Sequence, residues 1–102
     1  MLQESTKGLL IKMVVSLEKA GDAGWDDHAE SGRECLYEMH QMTRPAFRAY
    51  KVDRLETRWR THLPDAAKLN RAMPHVKLMV GAIRRQDRAM ALASGKAALA
   101  EM

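Results

Sequence analysis

Between Trp25 and Met42 the chain has one regular way to fold. Placed at about 100° per residue, Trp25, Ala29, Gly32, Cys35, Leu36, Met39 and Met42 gather into a single apolar arc. Asp26, Asp27, Glu30, Arg33, Glu34, Tyr37, Glu38 and Gln41 take the opposite arc. Such separation requires an α-helix with one face buried, and a helix of that kind needs partners to cover it. Two histidines intrude on the covered side: His28 within the arc and His40 at its edge.

The partners come from the same chain. At 102 residues it is read as one domain, residues 1–102, large enough to bury a core without disulfide help. The single cysteine excludes an internal disulfide and fits a reducing compartment. No apolar run approaches the ~20 residues of a membrane span, and Met1-Leu2-Gln3-Glu4 lacks the charged start and apolar core of a signal peptide. A cytoplasmic location without membrane contact is the expectation. Eight methionines against one phenylalanine imply a core filled by flexible side chains.

Taken in order, residues 3–20 read as a helix with Leu9, Leu10, Met13, Val14 and Leu17 along one face. Ile11 and Val15 fall nearly opposite, and this second apolar surface is the candidate dimer interface. Gly21-Asp22-Ala23-Gly24 ends that helix, glycine being the preferred residue just past a C-terminus. Beyond the central stretch, Arg44-Pro45 breaks the pattern. A third helix is predicted from about Pro45 to His62, with Val52, Leu55, Trp59 and Leu63 on its buried face and Arg48 and His62 bordering it. Asp65 is placed to cap a short helix over Ala66 to Ala72. Met73-Pro74 then opens another, whose arc is Val76, Leu78, Met79, Val80, Ala82 and Ile83, with His75 inside it. Gln86-Asp87 reads as a tight corner, Asp87 capping a last helix that carries Met90, Leu92, Leu99 and Met102. No stretch shows the alternation of a strand. Short connections favour antiparallel neighbours, and the fold class is all-α, an antiparallel helical bundle of five to seven helices.

Chemistry is sparse. Two helix-borne metal ligands should lie three or four residues apart. None of His28, His40, His62 and His75 has an inward His or acid at that offset. His28 and Cys35 share a face but stand about 10 Å apart along the axis. No metal or other cofactor is expected. Cys35 lies mid-helix in the apolar arc, where a thiol is a small inert hydrophobe. No phosphate loop, carboxylate pair or triad pattern is present, so no catalytic residue is assigned and the chain is not read as an enzyme. Net charge is +4, from seventeen Lys and Arg against thirteen Asp and Glu. A basic stripe of Arg44, Arg48, Lys51, Arg54 and Arg58 has the regularity to follow phosphates. It lacks a distinct reading head, so direct nucleic-acid contact ranks last. A guanidinium beside an apolar face commonly grips a carboxylate. That makes Arg48, with His28, His62 and His75, the candidate ligand-binding set for a small anionic molecule.

The stretch from Gly24 to Met102 also resembles the FCD domain, the all-helical effector-binding half of a branch of GntR-type bacterial transcription regulators. The likeness is carried by Ala20-Gly21-Asp22-Ala23-Gly24-Trp25 with Ala29-Glu30 and Leu36-Tyr37-Glu38, then by Arg44-Pro45-Ala46-Phe47. It ends on His75-Val76-Lys77-Leu78-Met79 through Ala82-Ile83-Arg84-Arg85-Gln86-Asp87 and Ala89-Met90-Ala91. The resemblance implies a bundle that dimerises and senses a small, often carboxylate-bearing metabolite. The family commonly supplies an Asp and, four residues later, a His as metal ligands; Ser31 to Leu36 has neither. The winged-helix domain that normally precedes the family's FCD domain has no counterpart in this sequence.

The expected function is accordingly small-molecule sensing and dimerisation, with a small carboxylate effector and a second copy of the chain as partners. The alternative is a helical interaction or oligomerisation module without a ligand, using Ile11 and Val15.

Overall fold

Helices Thr6–Ala20 (α1), Trp25–Thr43 (α2), Ala66–Arg84 (α3) and Arg88–Ala100 (α4) make up the regular structure of a computed structural model that describes residues 6–45, 49 and 65–102. No strand occurs among the described residues, so the fold is all-α. The predicted third helix falls almost wholly outside them, together with Arg48 and His62.

The expected count of five to seven is not met among the described residues, where there are four helices. One reason is visible at Pro74. The expected break there is absent: α3 runs through the proline without interruption. A proline in a helix interior removes one backbone bond and costs about 3 kcal/mol. Leu69, Ala72 and Met73 before it and Val76, Met79, Val80 and Ile83 after it are all buried on one continuous stripe. At ~1.5–3 kcal/mol per large side chain, keeping both halves of that stripe on one axis outweighs the proline.

The helices form a closed ring: α1 packs on α2 and α4, and α3 packs on α2 and α4. Tertiary contacts fix their directions. Arg71 near the start of α3 pairs with Glu101 just past the end of α4, at 3.3 Å. Arg88 at the start of α4 meets the carbonyls of Leu17 and Glu18 at the end of α1. Gly32 of α2 faces Met13 of α1 and Val80 and Ile83 of α3. Ring neighbours are therefore antiparallel.

The expected faces are occupied on α1 and α2. Leu10, Met13, Val14 and Leu17 are buried, as are Gly32, Cys35, Met39 and Met42. Two expectations fail. Leu78, assigned to the α3 core arc, is 57% exposed; it sits at the outer edge of an arc too broad for two neighbours to cover. On α4 the expected Met90 is 45% exposed, and Leu92, Leu99 and Met102 are only partly buried. The buried residues are Ala91, Ser94, Gly95 and Ala98. Close approach dictates the choice: a Cβ on Gly95 would lie 2.8 Å from Val14 Cγ2 and 3.1 Å from Met79 Sδ.

Both short connections follow from local chemistry. Between α1 and α2, Gly21 and Gly24 take φ of +63° and +76°, a region glycine enters without steric cost. Between α3 and α4, Gln86 takes φ of +58°, its N–H bonding to Ile83 and that of Asp87 to Ala82. This is the Schellman closure of a helix, with glutamine where glycine is usual. Asp87 then caps α4 by accepting from the Met90 N–H at 3.1 Å. Asp65 caps α3 by accepting from Ala67 and Lys68. Both caps stand where the sequence places them.

Candidate functional site

The α1–α2 hairpin leaves a groove of about 570 Å³ along its outer seam. From α1 it receives Leu9, Lys12, Met13, Ser16, Lys19 and Ala20. From the turn and α2 come Gly24, Asp27, His28, Ser31 and Glu34. The residue spacing explains the layout. Met13 and His28 belong to the buried faces of their helices, so they lie deep in the seam. Lys12, Lys19, Asp27 and Glu34 are exposed and stand on its walls. One wall is therefore cationic and the other anionic, above a partly apolar floor.

His28 is the chemically distinct group. Its side chain is 7% exposed, and its Nε2 is buried without a hydrogen-bond partner. The ring meets Trp25 edge to face, with centroids 5.9 Å apart and planes at 85°. Trp25 is itself anchored by its indole N–H, which donates to the Asp22 carbonyl at 3.1 Å. On the turn side, a Cβ on Gly24 would lie 3.5 Å from Nε2, so the turn backbone closes over the imidazole. Burying a polar atom unpaired costs about 1–3 kcal/mol, and nearly all buried polar groups in folded proteins avoid that cost.

The predicted ligand set divides. His28 lines the groove, whereas His75 is half-buried on α3 and is not among the groove's lining residues. Arg48 and His62 lie outside the described residues, as does the basic stripe apart from Arg44, which is exposed. His40 is exposed. Sequence reasoning missed Lys12, Lys19, Ser16, Ser31, Asp27 and Glu34 as site residues. Each reads as an ordinary solvated position on its own helix; only the pairing of α1 with α2 places them on one groove.

Cys35 is 1% exposed. Burial pushes its thiol up to about 11, with the carboxylates of Glu38 and Glu34 adding to the rise. A thiolate is therefore disfavoured at neutral pH. Among the described residues, no three His, Cys, Asp or Glu side chains converge as a metal site would require, and no helix is long and apolar enough to cross a membrane. Ile11 and Val15 lie on the outer side of α1, 43% and 39% exposed.

No protein-family profile, curated protein or solved structure matches this chain.

Proposed function

We propose that this chain is a small-molecule-binding helical module whose site is the α1–α2 groove, with His28 as its innermost polar contact. The observation that carries the reading is the buried, unpartnered Nε2 of His28 at a groove of ligand size. Small-molecule sites are concave, partly apolar and supplied with a few convergent polar groups. The FCD resemblance points to the same class, a sensor of small carboxylate-bearing metabolites that works as a dimer.

The test is thermal unfolding of the full chain against a panel of small carboxylates, with and without amino groups, repeated on His28→Phe. A ligand at one hundred times its Kd adds about 2.7 kcal/mol, which displaces the midpoint of a domain this size by about 10 °C or more. A rise with the native chain that disappears in His28→Phe is the expected result. A panel without effect, or a rise that survives the substitution, removes the reading.

A second reading has its own observation. Ile11 and Val15 are one helical turn apart and both exposed, the disposition of a contact strip for a second copy of the chain. Changing both to Lys should convert a dimer to a monomer in sedimentation analysis with helicity unchanged; an unaltered mass for native and variant chains rules this surface out.

A further inference from the structure

We infer that α1 is the pairing element of an antiparallel dimer: its outer stripe of Lys7, Ile11, Val15 and Glu18 meets the same stripe of a second copy, turned end for end about a two-fold axis. The inference rests on the second reading above, the Ile11 and Val15 contact strip, and adds its direction and its charges.

At about 100° per residue, Lys7, Ile11, Val15 and Glu18 fall within about 80° of arc on α1. All four are exposed. The stripe therefore carries a cation at its N-terminal end, two apolar side chains at its centre and an anion at its C-terminal end. Set parallel and in register, two such stripes would bring Lys7 against Lys7 and Glu18 against Glu18. Set antiparallel, each Ile11 meets the Val15 of the other copy, and each Lys7 meets the other copy's Glu18. The two pairings differ in register by one residue, about 1.5 Å, which a lysine side chain spans. This is the isologous pattern of a two-fold interface, residue i on j and j on i. Charges that flank an apolar seam fix helix orientation in coiled coils in the same way.

Both charges are available for it. Among the described residues Lys7 forms no ion pair, and Glu18 meets Lys96 through Oε1 at 3.2 Å. That pair is exposed on both sides, so it contributes about 1 kcal/mol at most and leaves the second carboxylate oxygen for another lysine. The neighbouring helix widens the seam. Arg88 and Lys96 of α4 both reach α1, and Leu92 and Leu99 share their flank at helical spacing. Both leucines are half-buried, so apolar surface continues from Ile11 and Val15 onto α4. The other exposed large apolar residues, Tyr37, Leu78 and Met90, stand on three different helices, and single residues of that kind are ordinary surface.

The experiment is sedimentation equilibrium of the full chain over a concentration series at low ionic strength, where exposed charges are least screened. Lys7→Glu and Glu18→Lys are measured separately and as an equal mixture, with helicity followed by circular dichroism. The native chain should dimerise. Each single variant turns both end contacts into repulsions, so its dimer Kd should rise about tenfold. The mixture should form a heterodimer with a Kd at or below the native value, because each end contact then joins unlike charges. Raising salt to about 0.15 M, where charges are screened over about 8 Å, should narrow the gap between native chain and single variants. Lys7→Glu is the decisive variant, since Glu18→Lys also takes away the partner of Lys96. Dimerisation that Lys7→Glu leaves unchanged while Ile11→Lys/Val15→Lys abolishes it overturns the antiparallel stripe and keeps the contact strip. Weakening by both single variants without recovery on mixing overturns the stripe as well, because the two charges then act separately. A dimer untouched by any of these variants overturns both readings, and so does a native chain that stays monomeric at its highest soluble concentration.

Discussion

Arg88 closes the end of a helix 71 residues earlier in the chain, its Nε–H donating to the Leu17 carbonyl at 3.1 Å. The same guanidinium donates from Nη2 to the Glu18 carbonyl at 2.9 Å. The last carbonyls of α1 have no partner within their own helix, and a cation there also suits the helix dipole. The two-pronged contact ties α1 to α4 and closes the ring of the four described helices.

Removing that fork should loosen the ring. Hydrogen bonds from a charged donor contribute about 1.5–3 kcal/mol when well shielded. The Glu18 contact is exposed, so about 1–2 kcal/mol is expected for Arg88→Ala in urea unfolding. Arg88→Lys keeps the charge without the planar fork and should recover less than half of the loss. Equal stability of Lys and Arg would show that charge alone is at work.

Gly95 lets α4 lie close against Val14 of α1 and Met79 of α3. Its missing Cβ leaves room that Val14 and Met79 fill, at 2.8 and 3.1 Å from where that atom would be. Gly95→Ala gains up to ~1 kcal/mol of helix propensity but must push the packed helices apart, a strain of about 1–3 kcal/mol. A net loss near 1 kcal/mol is expected. Val14→Ala in the same chain should relieve the clash, so the double variant should be more stable than the two single losses added together. Strict additivity would place the strain elsewhere.

The α3–α4 corner offers the opposite case. Gln86 holds a left-handed backbone at φ +58°, which costs an L-residue about 1–2 kcal/mol. Gln86 is exposed, so its side chain gives little in return. Gln86→Gly should raise stability by about 1 kcal/mol, read as a shift in urea midpoint with unchanged slope; a fall would mean that the glutamine side chain holds the corner.

Gly95 shows where sequence stops being legible. The α1 and α2 faces were readable because Leu10, Leu17, Met39 and Met42 are large and recur at helical spacing. On α4 the same rule points to Met90 and Leu92, whereas the contact is made through Ala91, Gly95 and Ala98. Small residues carry a weak hydrophobic signal, and what selects them is the closeness of a partner helix, a property of the pair. Pro74 misleads for the converse reason: its local preference is strong, and the stripe that overrides it runs over the whole of α3. The site follows the same division. His28 stands out in the sequence as an imidazole on an apolar arc. Lys19 and Glu34 became site residues only when α1 and α2 were set side by side.

Acid should weaken the α3 cap. The Asp65 carboxylate accepts from the N–H of Ala67 at 2.8 Å and of Lys68 at 3.2 Å. The Lys68 bond and then the Ala67 bond hold its pKa below the ordinary carboxylate value, with smaller help from the charges of Lys68 and Arg71 against a slight desolvation penalty. A depressed folded-state pKa means that the stabilisation is complete above the unfolded value, near ~4. It is lost as pH falls through the still lower folded value. The gap in urea midpoint between the native chain and Asp65→Ala should be open at pH 7 and close as pH falls below the ordinary carboxylate range. Asp65→Asn, which caps without ionising, should keep most of its advantage over Ala across that range. A gap that stays constant with pH would show that the cap does not depend on the charge.

His28 gives the clearest separation of folding from function. If its imidazole were there only to fill space, an apolar ring would do so better: Nε2 lies buried without a partner, and removing an unsatisfied polar atom recovers about 1–3 kcal/mol. His28→Phe preserves the edge-to-face arrangement with Trp25, now at 5.9 Å between centroids. His28→Leu guards against the larger ring crowding the Gly24 turn. At neutral pH, at least one of the two should unfold at higher urea than the native chain, by an amount equivalent to about 1 kcal/mol. The same variant should lose the ligand-induced rise in thermal midpoint. A histidine whose removal stabilises the fold and abolishes binding is retained for what it contacts in the groove. Destabilisation of both variants by more than about 1 kcal/mol would instead make the imidazole a packing element, and the ligand reading would lose its principal support.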